Sequence, residues 1–148
     1  MKKRIFKYEA YLKEVRETHL IPCPVEDAEA LNIETFRWVN DPMMVENFLP
    51  TRLLDEVKGK PIRTFPFKDR MNCIYHSLSL YVSEAEAKKK CENFPPSVKR
   101  KLGYTHIAVS EINENDGEST VPDKNGHFSF FKYHEAMLLE KFKIPSKL

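Results

Sequence analysis

Residues 74–82 set the clearest pattern in the chain. Ile74, His76, Leu78, Leu80 and Val82 alternate with Tyr75, Ser77, Ser79 and Tyr81, the period of two that gives a strand one apolar face and one hydroxyl-bearing face. The stretches from Tyr104 to Ile112 and from His127 to Tyr133 predict two further strands. Ser83-Glu84-Ala85-Glu86 spells a capping box, so a helix is expected from Glu84 to about Asn93, where Pro95-Pro96 ends it. Ser97 opens a shorter helix that Gly103 stops. Near the start, Ile5, Tyr8, Leu12 and Val15 recur at helical spacing.

Elsewhere the signals are shorter. Pro24–Leu31 and Pro42–Phe48 read as two small helices that begin with proline, whereas Ile33–Val39, with Phe36 and Trp38 around Arg37, fits a strand or a helix. Pro50, Gly59, Pro61 and Pro66 make residues 50–70 extended or loop-like, because proline removes ladder donors. Met137, Leu138 and Phe142 give the segment from His134 to Phe142 an apolar contribution to the core in a sequence of good helix formers. Asn-Asp-Gly at 115–117 and Asn-Gly at 125–126 punctuate a polar loop between the last two strands. The expected architecture is one α+β domain over residues 1–148, a mainly helical first half packed on a small antiparallel or mixed sheet.

Composition narrows the class. At 148 residues, with 41% hydrophobic and 11% aromatic residues, four Gly and ten Pro without a period, collagen-like, coiled-coil and disordered chains are excluded. No apolar run is long enough to span a bilayer, and Lys7, Glu9, Lys13 and Glu14 interrupt the stretch after the basic start Met1-Lys2-Lys3-Arg4, so a soluble cytoplasmic protein is expected. Cys23, Cys73 and Cys91 are odd in number and far apart, which reads as three free thiols. The five histidines and three cysteines show no metal-ligand spacing, so neither a metal nor a cofactor is expected.

Charge adds what the net value of +2 hides. Residues 18–57 carry two basic against eight acidic side chains, and residues 58–103 carry eleven against four. Opposite-sign surfaces of this kind face each other or a partner.

The candidate chemistry lies on the polar strand faces. Tyr75, Ser77 and Ser79 on the first strand, Tyr104 and His106 on the second, and His127 and Ser129 on the third would form one hydroxyl- and imidazole-rich surface if the three faces coincide. Such groups donate and accept hydrogen bonds without fixed charge, which suits a ribose, a base or a peptide backbone. His76 shares its strand face with aliphatic residues and reads as a core histidine. Neither Ser77 nor Ser79 is flanked by the glycines of a nucleophile turn. Glu111 stands near the end of an apolar strand face, either exposed there or acting as a general base.

Arg37 in Thr-Phe-Arg-Trp-Val, then Leu80-Tyr81-Val82-Ser83 before a helix, then Glu111 in Ile-Ala-Val-Ser-Glu-Ile follow one another over residues 36–112. This order resembles the ADP-ribosyltransferase superfamily, including its RES-type relatives, although the Gly that often precedes the second strand is missing. The resemblance implies that Arg37 and Tyr81 hold NAD and that Glu111 orients the ribose. Three function classes therefore stand: a small binding or interaction module with a protein partner, which the polar face and segregated charge favour; a nucleotide-using enzyme acting on NAD; and a nucleic-acid binder, in which Lys88-Lys89-Lys90 and Lys99-Arg100-Lys101 would meet phosphate near Tyr75 and Tyr81.

Overall fold

The structure, a computed structural model, describes residues 4–148, with the backbone alone for Ser146. The basic start at Met1, Lys2 and Lys3 lies outside the described residues. Six strands form one sheet in the order β4-β5-β2-β1-β3-β6, and every neighbouring pair is antiparallel. They are β1 (Ile33–Val39), β2 (Leu78–Tyr81), β3 (His106–Ile112), β4 (Gly117–Ser119), β5 (His127–Lys132) and β6 (Lys143–Lys147). The helices are α1 (Glu9–His19), α2 (Thr51–Val57), α3 (Asp69–Ile74), α4 (Glu84–Glu92), α5 (Pro96–Leu102) and α6 (Leu138–Lys141). The α+β class holds, but the first half is less helical than expected. It supplies β1, which is inner to the sheet and fully buried from Thr35 to Val39. That two-sided burial explains why its sequence lacks alternation.

Local signals account for the helices that flank the site. Ser83 Oγ accepts the Glu86 backbone N–H at 3.3 Å and starts α4, as the capping box requires. Gly103, with φ of 65°, closes α5 in the left-handed conformation. Pro24–Leu31 is not a helix but a run of turns ending in a single bridge from Glu29 to Ser119. Of the expected helix from His134 only α6 forms, and the chain then extends into the edge strand β6, where Pro145 is tolerated.

One sheet face carries Val39, Leu78, Leu80, Ala108, Phe128 and Phe130, packed with Phe48, Leu138 and Phe142. The other face carries Phe36, Trp38, Tyr81 and Ile107, with Ala87 of α4 set against them. The Trp38 indole N–H donates to the Ala87 carbonyl at 2.7 Å and fixes α4 on the sheet.

A third cluster joins α1 to α3 through Leu12, Val15, Cys23, Cys73 and Phe131. Within it Cys23 and Cys73 form a disulfide with Cα atoms 5.5 Å apart, which corrects the reading of three free thiols; Cys91 alone is free. The two residues are 50 apart in sequence and meet only through tertiary packing, so their spacing carried no signal. No helix among the described residues is long and apolar enough to cross a membrane.

Candidate functional site

Register decides which polar residues share a face. Tyr81 pairs with His127 and with Phe36, Ser79 with Ser129, and Phe36 also with Val109. Residues paired across a ladder point the same way, so Ser79, Tyr81, His127 and Ser129 lie together on the face that α4 covers in part. His106 pairs with Val39 and therefore lies on the opposite face, where its ring contacts Thr105 Oγ1 at 2.7 Å and Asp41 at 3.8 Å. The expected coincidence of three polar faces is thus met by β2 and β5 and missed by β3.

Two cavities open along this face and share Ser79, Asp123 and His127. The first, about 650 Å³, lies between the sheet and α4 and is lined by Trp38, Tyr81, Glu86, Lys89, Lys90, Asn93, Phe94 and Asn125. The second, about 450 Å³, reaches toward α3 and is lined by Arg63, Phe65, Arg70, Tyr75, Ser77 and Ser129, among others. Both volumes fall within the range usual for small-molecule sites. Together they form a two-lobed groove with aromatic and cationic groups in each lobe and a hydroxyl-imidazole floor between.

The aromatic wall is closely packed. Trp38 packs on Tyr81, Phe94 and Tyr104 with ring centroids 5.4–5.8 Å away. Burial pushes the Tyr81 phenol up to about 12, so it stays protonated at physiological pH. Burial also draws the His127 imidazole below its ordinary value near 6.5; Lys90 and Arg37 act in the same sense, while Asp123 opposes them. His127 Nε2 lies 3.1 Å from Ser79 Oγ.

Lys89 and Lys90 form no ion pair among the described residues, and Lys90 stands 5.7 Å from the centre of the Phe94 ring. In the second lobe Arg63 pairs with Asp55 and Arg70 with Asp27. These two pairs join the basic block of the sequence to the acidic one, so part of the charge segregation is satisfied internally.

Arg37 is 95% buried and bonds three neutral acceptors: the Asn47 carbonyl at 3.0 Å, the Ser79 carbonyl at 3.2 Å and the Tyr104 hydroxyl at 3.2 Å. Strands β1 and β2 pair at Phe36 and Tyr81 alone, and the guanidinium supplies the Ser79 carbonyl with the donor that a further rung would have given. Its place beneath the groove is structural, and its charge reaches Tyr81 and His127 at a distance.

Glu111 is exposed on β3, opposite Glu34, and lines neither cavity. The structure therefore brings Tyr81 to the groove and Arg37 beneath it, but not Glu111. Tyr75 is buried in the turn after α3, where its hydroxyl donates to the Asp55 carboxylate, and Ser77 donates to the Ile74 carbonyl at 2.7 Å; both precede β2. Tyr104 precedes β3 and touches Arg37 and Trp38.

Sequence reasoning named Lys89 and Lys90 only within a basic run and missed Glu86 and Asn93 beside them on the α4 wall. Glu86, Lys89, Lys90 and Asn93 recur at i, i+3, i+4 and i+7, one face of a helix beside the buried Ala87, and that spacing was the available signal. Asp123 and Asn125 come from the loop before β5, which holds no periodic pattern. Among the described residues no three His, Cys, Asp or Glu side chains converge as a metal set would. No family model, curated protein or solved structure matches the chain.

Proposed function

We propose that the protein binds a small, planar, anionic ligand of the nucleotide class in the groove between the sheet and α4. One observation carries this reading: Lys89 and Lys90, without ion-pair partners among the described residues, line the same lobe as the Trp38, Tyr81 and Phe94 rings. Unpaired ammonium groups favour phosphate, and the half-buried Phe94 ring offers stacking surface to a base, backed by the buried Trp38 and Tyr81 rings. Ser79 and His127 supply the uncharged donors and acceptors that a ribose needs.

Trp38 is the single tryptophan of the chain and lines the lobe, so its fluorescence reports occupancy directly. Titration with adenosine monophosphate and with NAD should give saturable quenching, and adenosine should bind more weakly. A Lys89→Ala/Lys90→Ala double variant should raise Kd by about tenfold or more, the effect of losing roughly 1.4 kcal/mol, with an unchanged melting temperature. Absence of saturation at millimolar ligand, or equal affinity in the double variant, would reject the assignment. A longer single-stranded nucleic acid as ligand would instead show affinity falling steeply with salt.

A transferase acting on NAD is the second reading, and the position of Glu86 favours it. Glu86 lines the lobe that Tyr81 and His127 also line, whereas Glu111 does not. On this reading Glu86→Gln abolishes NAD turnover and Glu111→Gln leaves it intact; the opposite result restores Glu111 to the reaction.

A further inference from the structure

Ser79, His127 and Asp123 are the three residues common to both lobes, and they stand in sequence across the groove floor. Ser79 Oγ is 3.1 Å from His127 Nε2, and the other ring nitrogen, Nδ1, is 3.8 Å from Asp123 Oδ2. We infer that this line is a nucleophilic relay: Ser79 attacks the acyl carbon of a carboxylic ester or thioester, His127 moves the proton, and Asp123 orients the imidazole.

The placement of each member meets the demands of that chemistry. Ser79 is the one residue of β2 that is not buried, so its hydroxyl opens to the groove while its strand is held on both sides. His127 is fixed by strand pairing with Tyr81 and by edge-on ring contact with it at 5.3 Å. Asp123 is held through its other oxygen, Oδ1, which accepts the backbone N–H groups of Asn125 at 2.8 Å and of His127 at 3.0 Å. That leaves Oδ2 directed to the ring. The 3.8 Å separation is longer than a hydrogen bond, as is common for such relays before substrate binds. The neutral imidazole that burial favours is the form able to accept a proton.

The Ser79 O–H bond breaks, its proton passes to His127 Nε2, and Oγ bonds to the acyl carbon. The bond from that carbon to the alcohol or thiol then breaks, and the leaving group takes the proton from Nε2. Water repeats the sequence on the acyl-enzyme, giving the acid and restoring the Ser79 hydroxyl. The Asn93 and Asn125 side-chain amides line the first lobe, as Ser79 does, and have no hydrogen-bond partner among the described residues.

This inference goes beyond ligand binding and does not rest on the ligand being a nucleotide. The full chain, incubated with a fluorophosphonate that carries no nucleotide and then analysed by intact mass and peptide mapping, should acquire one adduct, at Ser79. Labelling should be absent in Ser79→Ala and slower by about a hundredfold or more in His127→Gln, the usual weight of a general base. If His127→Gln does not fold, Asp123→Asn, which changes a loop residue, should still slow labelling about tenfold or more. No adduct at Ser79, or an adduct formed at the wild-type rate in these variants, would overturn the relay. A chain that labels at Ser79 yet binds no nucleotide upholds the relay and removes the ligand assignment. A chain that binds nucleotide but does not label does the reverse.

Discussion

Replacing Cys23 and Cys73 together with alanine should remove about 5 kcal/mol of stability. The disulfide links residues 50 apart, and closing a loop of that length withdraws about 14 cal/mol/K from the unfolded chain, or about 4 kcal/mol at 25 °C. Both side chains are also buried in the cluster beneath α1, so truncation to alanine leaves a small void that adds on the order of 1 kcal/mol. Intact mass without reductant should first show the wild-type chain two hydrogens lighter than its reduced form. Urea unfolding at 25 °C should then give a lower midpoint and a larger m-value for the variant, because its unfolded chain is less compact. The melting temperature should fall by about 15 °C. A loss below about 1 kcal/mol with an unchanged m-value would refute the reasoning, since the cross-link would then not be restricting the unfolded chain.

Arg37→Met should cost about 3 kcal/mol by urea titration, because it leaves the Asn47 and Ser79 carbonyls without their buried donors; Arg37→Lys should recover little of that, since an ammonium cannot span three acceptors in the plane of the guanidinium, and full recovery by lysine would reject this role. Gly117→Ala should cost about 2 kcal/mol or more and weaken amide protection in β4, because an added Cβ would collide with the Phe131 carbonyl oxygen and the Phe130 ring; wild-type stability in that variant would show that the strand can shift at no cost. Burial holds the His76 and His127 imidazoles below their ordinary value near 6.5. Below pH 6.5 the unfolded chain therefore binds protons that the folded chain refuses, and stability falls as pH drops until the folded pKa values are reached. The urea midpoint should decline from pH 7.5 to 5.5, with a shallower decline in His76→Gln; an equal slope in wild type and variant would exclude His76 as a source.

What the sequence made legible was local. The capping box at Ser83, the proline stop at Pro95 and the alternation at 78–82 each depend on neighbours a few residues away, and α4 and β2 lie where these signals put them. Residues 74–76 followed the same alternation but belong to α3 and its turn, because the Ser77 N–H and hydroxyl both bond the Ile74 carbonyl and close a turn there. His76 is accordingly not on the strand; its ring contacts the Asn72 carbonyl at 3.0 Å. β1 remained ambiguous since a strand buried on both faces shows no period.

The site was half legible for a related reason. Ser79, Tyr81, His127 and Ser129 were selected by parity within their strands, which survives as long as each strand's own phase is right. Whether His106 joined them depended on the register between β1 and β3, which no local pattern fixes. Asp123 and the Cys23–Cys73 bond depended on loop and helix placement further still.

The central position of β1 constrains the order of events during synthesis. Its partners are residues 78–81 on one side and 106–112 on the other, all later in the chain. Until residue 112 has left the ribosome, Phe36, Trp38 and Val39 belong to a strand with an open edge, the kind of surface that pairs with other chains. Folding of this sheet is therefore largely deferred until most of the chain has been made, and a nascent chain stalled before β3 presents an aggregation hazard that the finished molecule conceals.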